Sequence, residues 1–156
     1  MTEKKLEEKI IGHFENALST DFPNIQIVGQ WQTNIDGQLK ALENPATLGA
    51  LTIRVSPRRY ETATIPDCEI PVEIQLNIRS DVDVGGESWL SATDAANNVI
   101  QNWQDWYSRY AQDLSVENEF HPTGFRTDGG DCGIDRQAKV WQWTQTFTLL
   151  GVIEKR

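Results

Sequence analysis

The feature that most constrains this chain is a strict alternation of apolar and polar side chains near its middle. Within EIPVEIQLNIRS, residues 69–80, the apolar members are Ile70, Val72, Ile74, Leu76 and Ile78. A period of two predicts a half-buried antiparallel strand with one face against a core. Pro71 cannot donate a ladder hydrogen bond, so it predicts that the strand begins there or lies at a sheet edge.

A second long alternation occupies residues 138–153. Its large apolar side chains take odd positions and its glutamine and threonines take even ones: Trp141, Trp143, Phe147, Leu149 and Ile153 against Gln142, Thr144, Thr146 and Thr148. This predicts a further strand with one polar face. Shorter strands are predicted at residues 25–31 and 48–55, with a hairpin arm at 60–65. A long loop is predicted from Gln32 to Thr47, because the segment contains turn signals and little periodicity.

Two other segments have the spacing of amphipathic helices. The first is predicted from Thr2 to Leu18 and the second from Ser88 or Ser91 to Tyr110. Their apolar stripes are Leu6, Ile10, Phe14 and Leu18, and Ala92, Ala96, Val99, Trp103, Trp106 and Tyr110. Two helices on one face of a mostly antiparallel sheet define an α+β fold. We therefore predict a single α+β domain over residues 1–156, with a polar second sheet face.

Composition narrows the function. The chain has 23 acidic and 14 basic residues, a net charge of −9. Proteins that hold nucleic acid by its phosphates need the opposite charge, so sequence-specific DNA binding is not expected. A negative surface would instead let DNA pass without adhering. No apolar run is long enough for a membrane span, and the charged first residues lack the apolar region of a secretion signal. We expect a cytoplasmic protein with no membrane partner.

The segment RTDGGDCGID, residues 126–135, is the strongest candidate for chemistry. It holds Asp128, Asp131 and Asp135 together with Cys132. The acids are spaced by three and four and no glutamate closes the segment, so the EF-hand calcium pattern is not met. Glycine and aspartate are also typical of turns. We interpret the segment as a turn before the last strand, and a calcium-dependent or hydrolytic site on its three aspartates remains an alternative.

No other group of residues indicates catalysis. The two histidines and two cysteines lack the short spacing of zinc ligands, and no base stands near either cysteine in the sequence. We expect two free thiols, no metal, no cofactor and no enzymatic activity. Candidate partner contacts are the basic pair Arg58 and Arg59 in SPRR, the acids Asp128 and Asp131, and Trp31, since aromatic and arginine side chains are enriched at interfaces. Trp89 is a second aromatic candidate of this kind.

The order of these elements resembles a known family. An opening helix, a long loop, a half-polar strand from Val72 to Arg79 that leads into a tryptophan-bearing helix, and the final VWQWTQTFTLLGVIEKR look like the tail terminator and tail-completion proteins of long-tailed phages and related neck proteins. The resemblance covers most of the chain and is one of layout, without a diagnostic motif. The RTDGGDCGID segment matches no feature of that family.

The resemblance implies a non-enzymatic virion protein of a phage or prophage. Such subunits assemble as a ring, commonly a hexamer, on the end of the tail tube and join it to the neck or head. DNA would pass nearby without specific binding, and the protein would be found in host cytoplasm before assembly and in the virion tail afterwards. The alternative is a monomeric α+β module that binds a small ligand in a pocket lined by Trp103, Trp106 and Trp143.

Overall fold

The computed structural model describes residues 2–30, 47–60, 67–104 and 114–153. It contains two helices and six strands in these ranges. In chain order they are α1 (Thr2–Leu18), β1 (Ile25–Gly29), β2 (Gly49–Val55), β3 (Arg59–Tyr60), β4 (Asp67–Arg79), α2 (Glu87–Gln104), β5 (Phe120–Asp135) and β6 (Val140–Ile153). Most of the predicted loop at 32–47, the hairpin arm beyond Tyr60, and Trp31, Trp106 and Tyr110 lie outside the described residues.

The strands form one sheet in the order β1-β2-β4-β6-β5, and the short β3 pairs with β4. Every pairing is antiparallel except that of β1 with β2, which is parallel. The predicted α+β class with a mostly antiparallel sheet is confirmed.

Both helices pack on the same sheet face. Phe14 of α1 meets Trp103 of α2 edge to face, with ring centroids 5.8 Å apart, and Trp103 in turn contacts Phe147 of β6 at 5.7 Å. The even-numbered apolar residues of β4 predicted to face the core are all buried, and they form one cluster with the helix side chains. In α2 the buried stripe is Ala92, Ala96, Ile100 and Trp103, so Ile100 takes the position that the sequence pattern assigned to Val99.

The prediction that Pro71 marks a strand start or a sheet edge is wrong. Pro71 lies inside β4, opposite Thr148 of β6. On the other side of β4, however, β2 ends opposite Val72 and β3 begins opposite Glu69. The Pro71 carbonyl accepts a hydrogen bond of 2.9 Å from the backbone N–H of Ser56 in the connection between these strands. A proline is tolerated there because its neighbouring strand is interrupted at that point.

The prediction that residues 126–135 form a turn is also wrong. The segment belongs to β5, which pairs with β6 from Phe120 to Asp135, and the actual turn is residues 136–139. The glycines fit the strand rather than break it. Gly129 follows a register shift with φ of 98°, and a Cβ on Gly130 would lie 2.3 Å from the Thr144 carbonyl oxygen. Pairing with β6 outweighs the weak strand propensity of these residues.

Candidate functional site

A network of charged and hydroxyl side chains crosses the polar face of the sheet. Arg126 of β5 donates to Asp128 at 2.8 Å and to the Thr148 hydroxyl at 3.3 Å, and its guanidinium also lies 3.4 Å from Glu69 of β4. Glu69 in turn lies 3.9 Å from Arg59 of β3. The Thr148 hydroxyl donates to the second carboxylate oxygen of Asp128. We call these five residues the charged network; its side-chain contacts add to the backbone pairing of β3, β4, β6 and β5.

The network changes the protonation behaviour of its members. Partial burial works to raise the pKa of Asp128, but hydrogen bonds from Thr148 and Arg126 and the charges of Arg126 and Arg59 outweigh it. The pKa of Asp128 is therefore lowered, because the carboxylate form receives these contacts. The hydrogen bond to Asp128 likewise raises the pKa of Arg126. The Arg126–Asp128 pair is thus fully ionised at neutral pH and presents fixed charges rather than a proton donor.

The two adjacent arginines of SPRR have different environments. Arg59 joins the charged network with 65% of its side chain exposed. Arg58 turns to α1, where its Nε lies 2.9 Å from the carboxylate of Glu3, whose side chain is only 7% exposed. The contact is an ion pair without hydrogen-bond alignment, since Glu3 Oε1 has no hydrogen-bond partner. Arg58 therefore stabilises the packing of α1 against the rest of the protein, while Arg59 remains on the surface.

The three aspartates of β5 do not converge. Asp131 accepts a hydrogen bond from the N–H of Cys132, and Asp135 accepts from the N–H groups of Gln137 and Ala138 in the turn. An extended strand rises roughly 3.3 Å per residue, so Asp131 and Asp135 start about 13 Å apart. Calcium needs its oxygens within about 2.6 Å of one point. Across the described residues, no group of three or more acidic, histidine or cysteine side chains is placed to hold a metal ion.

The second half of β5 is exposed to an unusual degree. From Arg126 to Ile134 every residue is exposed, on both faces of the strand, whereas Phe120 is buried and Phe125 stacks on Phe147. We call residues 128–135 the free half of β5. It contains Asp131, the exposed thiol of Cys132 and the exposed apolar side chain of Ile134. Within the described ranges, β6 is the sole strand that pairs with β5. On the other edge Phe120 forms an isolated bridge with Val116, and no described strand lies along the free half.

The four tryptophans in the described ranges pack against other side chains of the protein. Trp89, a candidate partner contact in the sequence, stacks on Trp141 at 5.4 Å, and the Trp141 indole N–H donates to the Asp83 carbonyl. Trp103 and Trp143 are 2% and 6% exposed and belong to the core. The structure therefore places these two side chains among their apolar neighbours, and Trp106 lies outside the part of the chain that the structure describes.

Three members of the charged network were not predicted from the sequence: Glu69, Arg126 and Thr148. Glu69 and Thr148 occupy polar positions of two predicted strands, so their common face was already implied by the period of two. Arg126 carried no such signal, because its segment was interpreted as a turn. Of the predicted contacts, the structure brings Arg59 and Asp128 into one network and places Asp131 nearby on the same strand.

No family model matches this chain, and no curated protein matches it either. Among the described residues, neither helix combines the length and apolarity that a membrane crossing requires. Two surfaces of the described residues are candidates for function. One is the charged network on the polar sheet face, and the other is the exposed, acidic free half of β5 beside it.

Proposed function

We propose that this protein is a structural subunit of a phage or prophage virion, a tail terminator or tail-completion factor that assembles into a ring and caps the tail tube. The ring, which we expect to be a hexamer, would join the tube to neck or head proteins. The protein would be non-enzymatic and would need no cofactor. The order of the elements along the chain resembles this class of protein. The observation that supports assembly is the exposure of the free half of β5.

An open strand edge is a liability for a protein that stays monomeric. Unpaired backbone N–H and C=O groups attract other strands, so natural sheets shorten, cover or bend their edges. Here β5 is 16 residues long, and its second half is exposed on both faces. Assembly would cover that half with a neighbouring subunit. A contact between different surfaces of successive subunits closes into a ring when the rotation permits it.

The charges of β5 favour a contact of this kind over strand-to-strand pairing of two identical edges. Asp128, Asp131 and Asp135 lie on the strand, and a symmetric pairing would bring like charges together, which is destabilising. A ring contact lets the acidic edge meet a different surface. Acidic groups that remain uncovered would face the channel in our proposal, where they would repel DNA and keep it mobile.

Cys132 offers a direct test, because it is the single exposed cysteine and Cys68 is buried. Native mass spectrometry over a range of concentrations, alone and with the tail tube protein encoded in the same genome, should show a discrete ring. A bulky maleimide attached to Cys132 should abolish the ring. In the control, Cys132→Ser treated with the same reagent should still assemble.

A second control places the label elsewhere. In the Cys132→Ser background, Glu8→Cys puts the thiol on an exposed position of α1, and its labelling should leave the ring intact. Monomer at every concentration, with and without tube protein, would refute the proposal. Assembly that tolerates the label at Cys132 would retain a ring but remove the free half of β5 from its interface.

A further inference from the structure

A cavity of 380 Å³ opens on the polar sheet face where β4 ends and the turn at 136–139 leads into β6. Five polar side chains line it, namely Asn77, Arg79, Asp81, Lys139 and Gln142. The sheet register forms its floor, because Asn77 of β4 stands directly opposite Gln142 of β6. The volume lies at the lower end of the roughly 300–1,000 Å³ of ligand pockets, so an occupant would be small.

The charge at this cavity is opposite to that of the protein. Arg79 and Lys139 contribute two positive charges and Asp81 one negative charge, whereas the whole chain carries −9. Arg79 Nη2 lies 3.2 Å from Asp81 Oδ2, and the Asp81 side chain is half exposed. The Asp81 carboxylate thus pairs with the guanidinium of Arg79, but burial does not hold the Asp81 side chain in place. A ligand anion could displace it at small cost, since exposed ion pairs contribute little stability.

One hydrogen-bonding atom at the floor has no partner. The Asn77 side-chain oxygen is buried from water and accepts no hydrogen bond. A buried polar atom without a partner is unfavourable. Rotation of the Asn77 side-chain amide would turn this oxygen toward the cavity, where a donor from a bound molecule would satisfy it. On the opposite wall the Lys139 backbone adopts φ of 56°, and its carbonyl accepts a 2.8 Å hydrogen bond from the Ser80 N–H. This contact fastens the turn that carries Lys139 to the end of β4.

We propose that this cavity binds a small organic oxyanion, a carboxylate or phosphate monoester that also carries a hydroxyl or amine. Arg79 and Lys139 contact the oxyanion, the Asn77 amide rotates so that its oxygen accepts from the hydroxyl or amine, and Asp81 rotates out into solvent. Charge-assisted hydrogen bonds from guanidinium to carboxylate or phosphate are strong enough to select such a ligand. The cavity does not include the free half of β5, so binding there requires no ring.

Side-chain amide signals of Asn77 and Gln142 in nitrogen-15 NMR spectra would report binding directly. Two ligand pairs test the need for a hydroxyl and the choice of anion separately. They are lactate against propionate, and glycerol 3-phosphate against propyl phosphate. The hydroxylated member of at least one pair should shift both amide signals with one dissociation constant, and its partner should bind more weakly. The pair that responds identifies the anion as carboxylate or phosphate. No shift from any of the four at about 10 mM, above the millimolar range of weak specific binding, overturns the proposal.

Charge variants test the geometry. Arg79→Gln should weaken binding about tenfold or more, the effect of losing one charge-assisted hydrogen bond. Asp81→Asn should tighten binding, because it removes the internal competitor. Arg54→Gln and Glu73→Gln make the same charge changes on a cross-strand pair of the same sheet region. Glu73 is four residues from Asn77, about 13 Å along the strand, beyond the screening length of about 8 Å at physiological salt.

These two controls should leave the dissociation constant unchanged within about twofold, because screened charges at that distance contribute little. Equal weakening by Arg54→Gln and Arg79→Gln would overturn the proposal, since it would show attraction by the general field rather than by the cavity. Unchanged backbone spectra of each variant confirm that the fold is retained, so that a loss of binding reports on the site.

Discussion

Removing the charge of Arg58 should lower the free energy of unfolding much more than removing the charge of its neighbour Arg59. Arg58→Gln leaves the Glu3 carboxylate, 5% exposed as a residue, without its cation. Breaking a buried pair costs about 3–5 kcal/mol when both groups are fully buried. The Arg58 side chain is 24% exposed, so we expect the free energy of unfolding to fall by about 2 kcal/mol. That is about 4–8 °C in Tm for a domain of this size.

Arg59→Gln is the matched control. The Arg59 side chain is 65% exposed and lies 3.9 Å from Glu69, and surface pairs of this kind are worth about 0–1 kcal/mol. We expect a loss below about 0.5 kcal/mol, which urea unfolding followed by tryptophan fluorescence resolves from the Arg58 effect. The double variant Glu3→Gln/Arg58→Gln should recover part of the lost stability, because no unpaired buried charge remains. Equal losses for the two single variants would refute the assignment of Arg58 to the packing of α1.

Three further outcomes follow from the described contacts. Because the pKa of Asp128 is lowered, its carboxylate stabilises the fold above the ordinary pKa of about 4, and this stabilisation is lost as pH falls through the lowered value. The difference in unfolding free energy between the wild type and Asp128→Asn should therefore shrink below about pH 4. A difference that stays constant with pH would contradict this assignment. Gly130→Ala should lower the free energy of unfolding by about 1–3 kcal/mol through overpacking, since its Cβ would lie 2.3 Å from the Thr144 carbonyl oxygen. Gly133→Ala has open space at its Cβ and should change the free energy of unfolding by no more than about 0.5 kcal/mol. Similar urea midpoints for the two variants would show that β5 shifts freely. A thiol reagent should titrate one cysteine in the native monomer and two in urea, because Cys132 is exposed and Cys68 is buried; two fast thiols in the native state would place Cys68 outside the core.

Much of the fold was predictable because its main elements bury one face each. The bounds of α1 agree with the predicted helix from Thr2 to Leu18. The alternation in β4 and β6 is enough to distinguish the core face of each strand from its polar face. Periodicity reports burial of one side of an element, and it needs no knowledge of which element covers that side. This is why the α+β class could be predicted.

The free half of β5 could not be recognised as a strand, for the same physical reason. A strand exposed on both faces shows no alternation, and its glycines and aspartates are typical of turns. Only the ladder to β6, formed across the turn at 136–139, makes the segment extended. Part of the candidate interaction surface was therefore hidden in a segment that local propensity assigned to a turn.

The sequence by itself determined the two helices, the two long strands and the acidic character of the chain, because periodicity and charge are local properties. The tertiary structure alone decided that Pro71 lies within a central strand at a break in its neighbour, and that Arg58 pairs with Glu3 while Arg59 joins Glu69. These outcomes depend on which distant segments become neighbours. Adjacent residues of the same type then serve different purposes, because the sheet and helix they meet present different charges and different degrees of burial.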